Sequence, residues 1–444
     1  MSVVPGFAGE VIRPGDAQYD AVRAVWNGMI DRYPALVVRP TATDDVIAAL
    51  RFARDRELVV AVRCGGHSIP GLSTCDDGIV IDLSRMRGVR VDPERRVARA
   101  AGGALLDELD TEAQAFGLVC PVGVVSHTGI AGLTLGGGMG RLQRRFGLTL
   151  DNLSAVELVT ADRRLVRASD YENEDLFWGL RGAGANFGIA TAFELRLHPL
   201  RRIVTHGTVV YPLERAGELA ALFREATETG PDDLMLTLGL GRDVDGRPIA
   251  SVTALHCGRL DDAERDLAPL RAFGPPARDT VEARPYLVVQ HLADEAEAWG
   301  HRFYMKSHFV PALADEVVRS CADHVGRAPD GGNASFSIWA CGGAIARVPE
   351  DATAFSGRDG AYWIACEAQW DDAARDGDFR AWVRAAMDDV TPYASRGRYV
   401  NDVAETGEDV VRSVYGDAKY ERLRTLKRAY DPENVFRLNQ NIRP

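Results

Sequence analysis

Gly129-Ile-Ala-Gly-Leu-Thr-Leu-Gly-Gly-Gly-Met-Gly140 places six glycines in twelve residues, in the first third of the chain. Two further glycine-rich segments lie before and after it: Arg63-Cys-Gly-Gly-His-Ser-Ile-Pro-Gly-Leu-Ser73 and Arg181-Gly-Ala-Gly-Ala-Asn-Phe-Gly188. Glycine has no Cβ, so loops rich in it let backbone N–H groups approach a ligand closely. Three such loops within one stretch of mixed helical and strand pattern indicate a single extended ligand.

The residues around the three loops predict alternating helices and strands. A helix is predicted from Asp44 to Arg54, because its apolar residues fall on one face. The apolar runs on either side of the first loop are rich in β-branched residues and predict buried strands. The other elements predicted here are strands at Leu58–Val62, Gly78–Leu83, Val97–Ala101 and Ile189–Leu197, a hairpin of Ala155–Thr160 with Arg164–Ala168, and a helix at Leu105–Phe116.

After Pro199, strands and helices alternate without glycine-rich loops, which indicates a second α+β layer that shapes a substrate pocket. The length supports two domains, since 444 residues exceed what one hydrophobic core usually organises. Strands are predicted at Arg202–Val210, Leu234–Leu240, Ile249–Leu255, Phe336–Trp339 and Tyr362–Trp370, and helices at Ala216–Thr227, Ala263–Phe273 and Asp371–Asp388.

Composition excludes several classes of function. A net charge of −12 argues against nucleic-acid binding, which requires a basic surface. No apolar run approaches the ~20 residues of a membrane helix, and no secretory signal is visible, so a cytoplasmic location is expected. The seven cysteines are irregularly spaced, which predicts reduced thiols, and without a CxxC or HExxH motif no protein-bound metal is expected.

The glycine-rich segments do not complete the familiar nucleotide or hydrolase motifs. The runs that begin at Gly136 and Gly182 both lack the last glycine of the dinucleotide fingerprint G-x-G-x-x-G, which argues against NAD. Neither ends in the Gly-Lys-Ser/Thr of a phosphate-binding P-loop. Gly66-His-Ser-Ile-Pro70 approaches the G-x-S-x-G nucleophile elbow but ends in proline, so a serine hydrolase is a poor fit.

Taken together, the motifs resemble the berberine bridge enzyme-like FAD-linked oxidases of the vanillyl-alcohol oxidase superfamily, including bacterial members. The resemblance covers segments that fall in order from near the start of the chain to its end, and this ordered set is far more specific than any one motif. The matching segments are Val38-Arg-Pro40, Val62–Ser68, Gly129–Gly140, Phe146–Asn152, Asp175–Gly188 and Tyr430–Ile442.

The resemblance implies an α+β, two-domain flavoprotein fold of the PCMH/VAO type. Residues 1–200 would form the PCMH-type FAD-binding domain. Residues 201–395 would form a substrate-binding domain built on an antiparallel sheet flanked by helices. Residues 396–444 would return to the FAD-binding domain.

His67 occupies the position at which family members bond their flavin through its 8α-methyl group. The alternative is a loop histidine that only hydrogen-bonds a phosphate. Many relatives add a cysteinyl bond four residues before the first glycine of the second loop, where this chain has Val125. Cys120 lies nearby but would misplace every following glycine, so a packed thiol and a single histidyl bond are predicted. The cofactor-binding residues implied are Arg63, Cys64, Gly65, Gly66, His67, Ser68, Val125, Thr128, Gly129, Gly132, Leu133, Gly137, Gly138, Gly140, Asp151, Gly188, Ile189, Asn439 and Asn441.

The family reaction moves a hydride from a substrate C–H to flavin N5 while a base takes a proton. Tyr399 and Asn401 match the family's Tyr-x-Asn segment beside the flavin, and Tyr399 is the first candidate base, with packing at the domain junction as the alternative. Asp402 stands where most relatives have an aromatic residue. Glu367 and Gln369 alternate on one predicted strand and are expected to face one side, as candidate catalytic residues near the flavin.

The expected partners are a small organic substrate, namely an alcohol, an amine or a secondary-metabolite intermediate, and O2. Thr128 lies where family oxidases carry a small β-branched residue near the flavin, which favours O2 as the electron acceptor. Two alternatives stay open: a dehydrogenase that excludes O2, and a flavin-scaffolded cyclase without net oxidation. The chain is expected to be a monomer or a homodimer, with no nucleic acid and no membrane as partner.

Overall fold

The computed structural model describes residues 4–444. Its N-terminal part contains a mixed sheet of order β1-β2-β4-β3, in which only β1 runs antiparallel, and an antiparallel sheet of order β5-β6-β10-β8-β9. The short strands β7 and β11 pair with each other. These strands are β1 (Glu10–Ile12), β2 (Leu36–Arg39), β3 (Val60–Arg63), β4 (Ile79–Asp82), β5 (Val89–Asp92), β6 (Val97–Ala101), β7 (Leu118–Val119), β8 (Leu153–Val159), β9 (Leu165–Ser169), β10 (Ile189–Arg196) and β11 (His198–Pro199).

Helices cover these sheets and bury one apolar face each. On the second helix, Val46, Ala49, Leu50 and Ala53 are fully buried, which is the face that the sequence pattern predicts. The helices of this part are α1 (Tyr19–Arg23), α2 (Thr43–Asp55), α3 (Leu106–Gln114), α4 (Ile130–Gly136), α5 (Gln143–Phe146) and α6 (Glu174–Ala183).

The middle of the chain forms one antiparallel eight-stranded sheet. Its order is β15-β12-β14-β13-β18-β19-β17, and β16 pairs with β12 beside β15. The strands are β12 (Ile203–Pro212), β13 (Leu234–Arg242), β14 (Pro248–His256), β15 (Arg278–Asp279), β16 (Glu282–Pro285), β17 (Arg302–Val310), β18 (Gly332–Ala340) and β19 (Tyr362–Trp370). The helices are α7 (Ala216–Thr229), α8 (Leu260–Ala272), α9 (Tyr286–Gln290), α10 (Asp315–Gly326), α11 (Ala344–Arg347) and α12 (Asp376–Val390).

The two-domain α+β fold expected from the sequence is confirmed. The sequence missed β17 and α10, because polar residues such as Lys306 and His308 interrupt the apolar alternation of that strand. The helix expected over Asp371–Asp388 begins only at Asp376, after a short 3-10 turn at Ala373–Arg375. Within residues 4–444, no helix combines the length and the apolar composition needed to cross a membrane.

The last helix, α13 (Glu408–Tyr430), returns to the N-terminal part and packs in the same apolar cluster as α6. At its end, the ammonium group of Lys427 is fully buried and lies 2.7 Å from Oδ2 of Asp431. Lys427 also donates to the carbonyl oxygens of Asn186 and Phe436, each at 2.8 Å. This buried ion pair ties the C-terminal segment to the third glycine-rich loop.

Replacing Lys427 with alanine should lower the free energy of unfolding by about 3–5 kcal/mol, because it leaves Asp431 as an unpaired buried charge. Urea denaturation monitored by tryptophan fluorescence measures the change. Glu408→Ala is the matched control, since it breaks the half-exposed pair with Arg412 at the same i,i+4 spacing on the same helix. The control should cost no more than about 0.5 kcal/mol, and equal losses in the two variants would contradict the prediction.

Candidate active site

A cavity of about 570 Å³ lies where the three glycine-rich loops meet the antiparallel sheet and the C-terminal segment. Its volume is in the range of pockets that enclose a cofactor or a drug-sized ligand. The wall contributed by the eight-stranded sheet is largely apolar and aromatic: Phe303, Met305, Trp339 and Trp363 line the cavity, together with the polar residues Ser337 and Glu367. The three loops that the sequence assigned to one ligand therefore do line one cavity.

Backbone contacts explain two of the glycines in these loops. A Cβ on Gly65 would lie 2.2 Å from the backbone N of Gly129, and a Cβ on Gly129 would lie 2.5 Å from Sγ of Cys64. Both distances are far below van der Waals contact, so the first and second loops approach each other only because both residues are glycine. This close approach places His67 and Thr128 in the same wall of the cavity.

His67 lies in that wall between aromatic rings. Its imidazole stacks on Trp26 with ring centroids 5.1 Å apart, and Trp299 meets it edge-on at 6.2 Å. Nε2 of His67 is 2.8 Å from Nδ1 of His127. Burial, reinforced by the neighbouring His127, lowers the pKa of His67 to about 3. The imidazole is therefore neutral at physiological pH, the form that can act as a nucleophile.

Tyr399 and Asn401 lie together beside the second glycine-rich loop. The hydroxyl oxygen of Tyr399 accepts hydrogen bonds from the backbone N–H groups of Gly138 (3.0 Å) and Met139 (3.3 Å), and from Nδ2 of Asn401 (3.0 Å). Burial raises the pKa of Tyr399 to about 12. Three donors thus orient a neutral phenol, which leaves its own O–H available to donate.

Three carboxyl groups line the cavity: Glu297, Glu367 and Asp402. Burial raises the pKa of all three, to about 7 for Glu297 and about 8 for Asp402. The hydroxyl of Ser307 donates to Oδ2 of Asp402 at 3.1 Å, which only partly offsets the effect of burial on that group. Among residues 4–444, no lysine or arginine lines this cavity. Glu297 and Asp402 are therefore proton acceptors that change charge near neutral pH, in a lining without fixed positive charge.

Most of the residues singled out from the sequence meet at this cavity. Those that line it are Cys64, Gly65, Gly66, His67, Ser68, Val125, Thr128, Gly129, Gly132, Leu133, Gly188, Glu367, Tyr399, Asn401 and Asn439. The others lie outside the lining: Arg63, Gly137, Gly138, Gly140, Asp151, Ile189, Gln369 and Asn441.

Two of the residues outside the lining form buried ion pairs. Arg63 forms a buried ion pair with Asp82 (2.9 Å), and Asp151 forms another with Arg358 (2.6 Å) that joins the two parts of the chain. Gln369 shares a strand face with Glu367, but its amide donates to the carbonyl of Ala296 at 2.9 Å. The two side chains that alternate on this strand therefore have different surroundings.

The sequence did not single out Glu297, Trp26, Trp299 or His127 as site residues, and it noted Asp402 only as a departure from the family pattern. His127 was within reach, because it stands two residues before Gly129. Glu297 and Trp299 lie in an irregular stretch between α9 and β17 with no periodic signal. Only the pairing of distant segments brings Glu297 into the cavity lining and Trp299 against the ring of His67.

Polar atoms without partners indicate that the cavity is built for a ligand. Oδ1 of Asn439, Oε1 of Gln440 and Oγ of Ser73 are buried, line the cavity and have no hydrogen-bond partner. The amide nitrogens of Asn439 and Gln440 are held by backbone carbonyls, so both oxygens are fixed in place. A buried polar atom left unpaired costs about 1–3 kcal/mol, which a ligand with matching polar groups would recover.

Gly132 provides a direct test of whether a ligand occupies the cavity. The residue lines the cavity, and a Cβ at this position would have no atom within 4 Å. Gly132→Ala should keep or slightly raise thermal stability, since alanine favours a helix over glycine by up to about 1 kcal/mol. The added methyl should nevertheless lower occupancy by the flavin that the family resemblance implies, measured as the flavin-to-protein absorbance ratio. Gly217→Ala, in the open on α7, is the matched control and should leave occupancy unchanged. If Gly132→Ala keeps full flavin occupancy, the flavin does not pack against α4 at this position.

Comparison with known proteins also indicates a flavin-binding protein. Residues 34–169 match the family described as FAD binding domain, and residues 398–443 match the family described as berberine and berberine like. The (R)-6-hydroxynicotine oxidase of Paenarthrobacter nicotinovorans is 33% identical over 98% of this chain and 97% of its own. An FAD-linked oxidoreductase of Dictyostelium discoideum is 31% identical over 98% of this chain and 95% of its own.

A solved structure extends the similarity to the whole fold. The crystal structure of 6-hydroxy-D-nicotine oxidase from Arthrobacter nicotinovorans superposes with a TM-score of 0.91 at 31% identity, covering 100% of both chains. The matched length includes the three glycine-rich loops, the antiparallel sheet and the C-terminal segment.

Proposed function

Since the chain belongs to the berberine bridge enzyme-like family of FAD-linked oxidoreductases, we propose that it is an oxidase with one covalent bond between His67 and FAD. The observation that carries the proposal is a neutral His67 that lines the cavity from the first glycine-rich loop, where this loop meets the second. The substrate would be a small organic molecule, and O2 would accept the electrons.

The residues present fit FAD. Three features suit a long, flat ligand with polar edges. The side-chain oxygens of Asn439 and Gln440 have no hydrogen-bond partner. The backbones approach closely at Gly65 and Gly129, and Gly132 has no side chain to fill the cavity. When bound, FAD supplies a two-electron acceptor that takes a hydride at N5 and can be reoxidised by O2. The protein's part is to hold that ring against the substrate and to manage the proton.

A single attachment point is supported by the state of the cysteines near the cavity. Cys64 is the one thiol among the lining residues within 4–444, and burial raises its pKa to about 11. Cys120 is fully buried outside the lining, and burial raises its pKa as well. Since the thiolate is the nucleophile, both thiols are poorly suited to a second bond, and Val125 offers none.

The lining favours an amine among the possible substrates. Glu297, Glu367 and Asp402 supply negative charge once ionised, while Trp339 and Trp363 supply flat apolar walls. A protonated amine with an aromatic or aliphatic body matches both features through ion pairing and cation–π contact. A neutral sugar would leave these carboxylates, once ionised, without a positively charged partner.

Asp402 is a better candidate for the proton acceptor than Tyr399. A base works best when its pKa is close to the working pH, and the pKa of Asp402 is about 8 whereas that of Tyr399 is about 12. Asp402 or Glu367 would take the proton from the substrate nitrogen or oxygen as the hydride leaves the adjacent carbon. The hydroxyl of Tyr399 would donate a hydrogen bond to the substrate or the flavin ring. Asn401 would accept one through Oδ1, because its amide nitrogen already donates to Tyr399 and to the carbonyl of Leu133.

Anaerobic reduction followed by exposure to air tests the proposal. Aliphatic and aromatic amines, and the alcohol of the same shape for each, are added separately to the purified protein without O2, and bleaching of the flavin absorbance is recorded. The reduced protein is then mixed with air-saturated buffer. We expect amines to bleach the flavin, and rapid recovery of absorbance with one H2O2 per flavin. Slow recovery in air, with fast recovery on adding an artificial dye acceptor, would identify a dehydrogenase. A flavin that no substrate bleaches, while product still forms, would identify the cyclase alternative.

A further inference from the structure

The imidazole ring of His67 lines the cavity, and it pairs with the ring of His127, which lies just outside the lining. Nε2 of His67 lies 2.8 Å from Nδ1 of His127, and the ring centroids are 4.8 Å apart. Among residues 4–444, His127 is the one side chain that hydrogen-bonds to the His67 ring. The other ring nitrogen of His67, Nδ1, is left without a protein partner.

This hydrogen bond determines which nitrogen of His67 can react. A neutral imidazole carries its proton on one nitrogen and a lone pair on the other. If Nε2 of His67 donates to Nδ1 of His127, the lone pair of His67 is at Nδ1, where no protein group competes for it. The opposite tautomer would place a proton on Nδ1 of His67 and make that nitrogen unreactive.

The turn that carries His127 is firmly held. The backbone N–H of Ser126 donates to Oδ1 of Asp294 (2.8 Å), and its hydroxyl donates to Oδ2 (2.6 Å). Asp294 in turn contacts Nδ1 of His291 at 2.7 Å, and Nε2 of His291 contacts Asp107 at 3.1 Å. These links connect the loop 291–301 to α3 and hold the backbone of His127 in place beside His67.

We propose that His127 is the positioning residue for flavin attachment: it fixes the reactive tautomer of His67 and accepts its Nε2 proton as the bond forms. This inference rests on the proposed bond between His67 and FAD. In the reaction, the lone pair of Nδ1 forms an N–C bond to the 8α carbon of the flavin. One proton leaves that carbon and one leaves Nε2 of His67, the latter to His127. The two electrons released stay on the flavin until O2 takes them with two protons and leaves as H2O2.

The test measures the rate of attachment, not turnover. Full-length protein produced in riboflavin-starved cells is mixed with FAD, and the flavin that stays on the acid-denatured polypeptide is followed in time by in-gel fluorescence. We expect His127→Ala to attach flavin at least about tenfold more slowly than the wild type. His127→Asn, whose Oδ1 can replace Nδ1 as an acceptor but cannot take a proton, should fall between them. Added imidazole should restore part of the rate in His127→Ala only.

The control is His308→Ala, because His308 lies on the strand face away from the cavity and contacts Thr391. It should attach flavin at the wild-type rate. A wild-type rate in His127→Ala, with the wild type itself labelled, would overturn this inference and leave the proposed function intact. A wild type that releases all its flavin in acid would overturn the covalent bond of the proposed function and this inference with it. A slow His127→Ala that imidazole does not rescue would also overturn the proton transfer to His127.

Discussion

His67→Ala should yield a protein that releases all of its flavin on acid denaturation, whereas the wild type keeps its flavin on the polypeptide. The reason is that, within residues 4–444, His67 is the one histidine that lines the cavity. Its imidazole is neutral and has a ring nitrogen without a protein partner, and burial keeps the nearby thiols protonated. Acid precipitation, followed by in-gel flavin fluorescence and mass mapping of the labelled peptide, makes the measurement.

The same variant should also be a weaker oxidant when it holds FAD without a bond. Loss of the electron-withdrawing imidazole substituent should lower the two-electron reduction potential by about 30 mV or more, which corresponds to about 1.4 kcal/mol of driving force. Cys120→Ala is the matched control, since it changes a buried residue in the neighbouring loop without touching the cavity. It should keep covalent flavin and the wild-type potential. Retention of flavin in His67→Ala, or its loss in Cys120→Ala, would rule out the single histidyl bond.

Asp402→Asn should lower kcat/KM by about 10²- to 10⁴-fold, the usual contribution of a general base. In the wild type, kcat/KM should rise with pH and level off above about 8, because the ionised form of Asp402 accepts the proton and its pKa is about 8. The asparagine variant should lose this rise. Steady-state rates against pH, with one amine as substrate, make the measurement.

Asp110→Asn is the matched control for this variant. Asp110 is equally buried and burial raises its pKa to about 7, yet it lies outside the cavity lining and accepts a hydrogen bond from Gln290 (3.0 Å). Its asparagine variant should keep the wild-type pH profile. If Asp402→Asn keeps both rate and profile, the proton acceptor is elsewhere, and Glu367→Gln is the next variant to measure.

Thermal stability provides an independent check of the pKa of Asp402. A carboxyl group whose pKa is higher in the folded state than in the unfolded chain favours folding while it is protonated. That stability is complete below the unfolded value of about 3.9 and is lost as pH rises towards about 8. Asp402→Asn should therefore have a Tm close to that of the wild type at pH 4 and a higher Tm at pH 9. A gap that shrinks with rising pH would contradict the raised pKa.

The sequence by itself determined the local elements and the parts of the site that lie in compact motifs. Helix α2 and five strands of the eight-stranded sheet (β12, β13, β14, β18 and β19) follow from periodic burial, because each segment carries its own apolar pattern. The glycine-rich loops are equally local, because a missing Cβ is visible in the sequence wherever two backbones must touch. The sequence singled out His67 because it lies in the first of these loops, and Tyr399 and Asn401 because they lie in the Tyr-x-Asn segment.

The tertiary structure alone decided which side chains act on one another. His127 lies 60 residues from His67, and Glu297 and Asp402 belong to segments with no shared pattern, so no local signal links them. The strand β17 was missed for a related reason, since its polar residues find partners in distant segments and hide the alternation. The charge state of a buried group also depends on its surroundings: burial makes Asp402 basic and His67 neutral. A motif consists of residues that are neighbours in the sequence, whereas hydrogen bonds and desolvation depend on contacts that form only when the chain has folded.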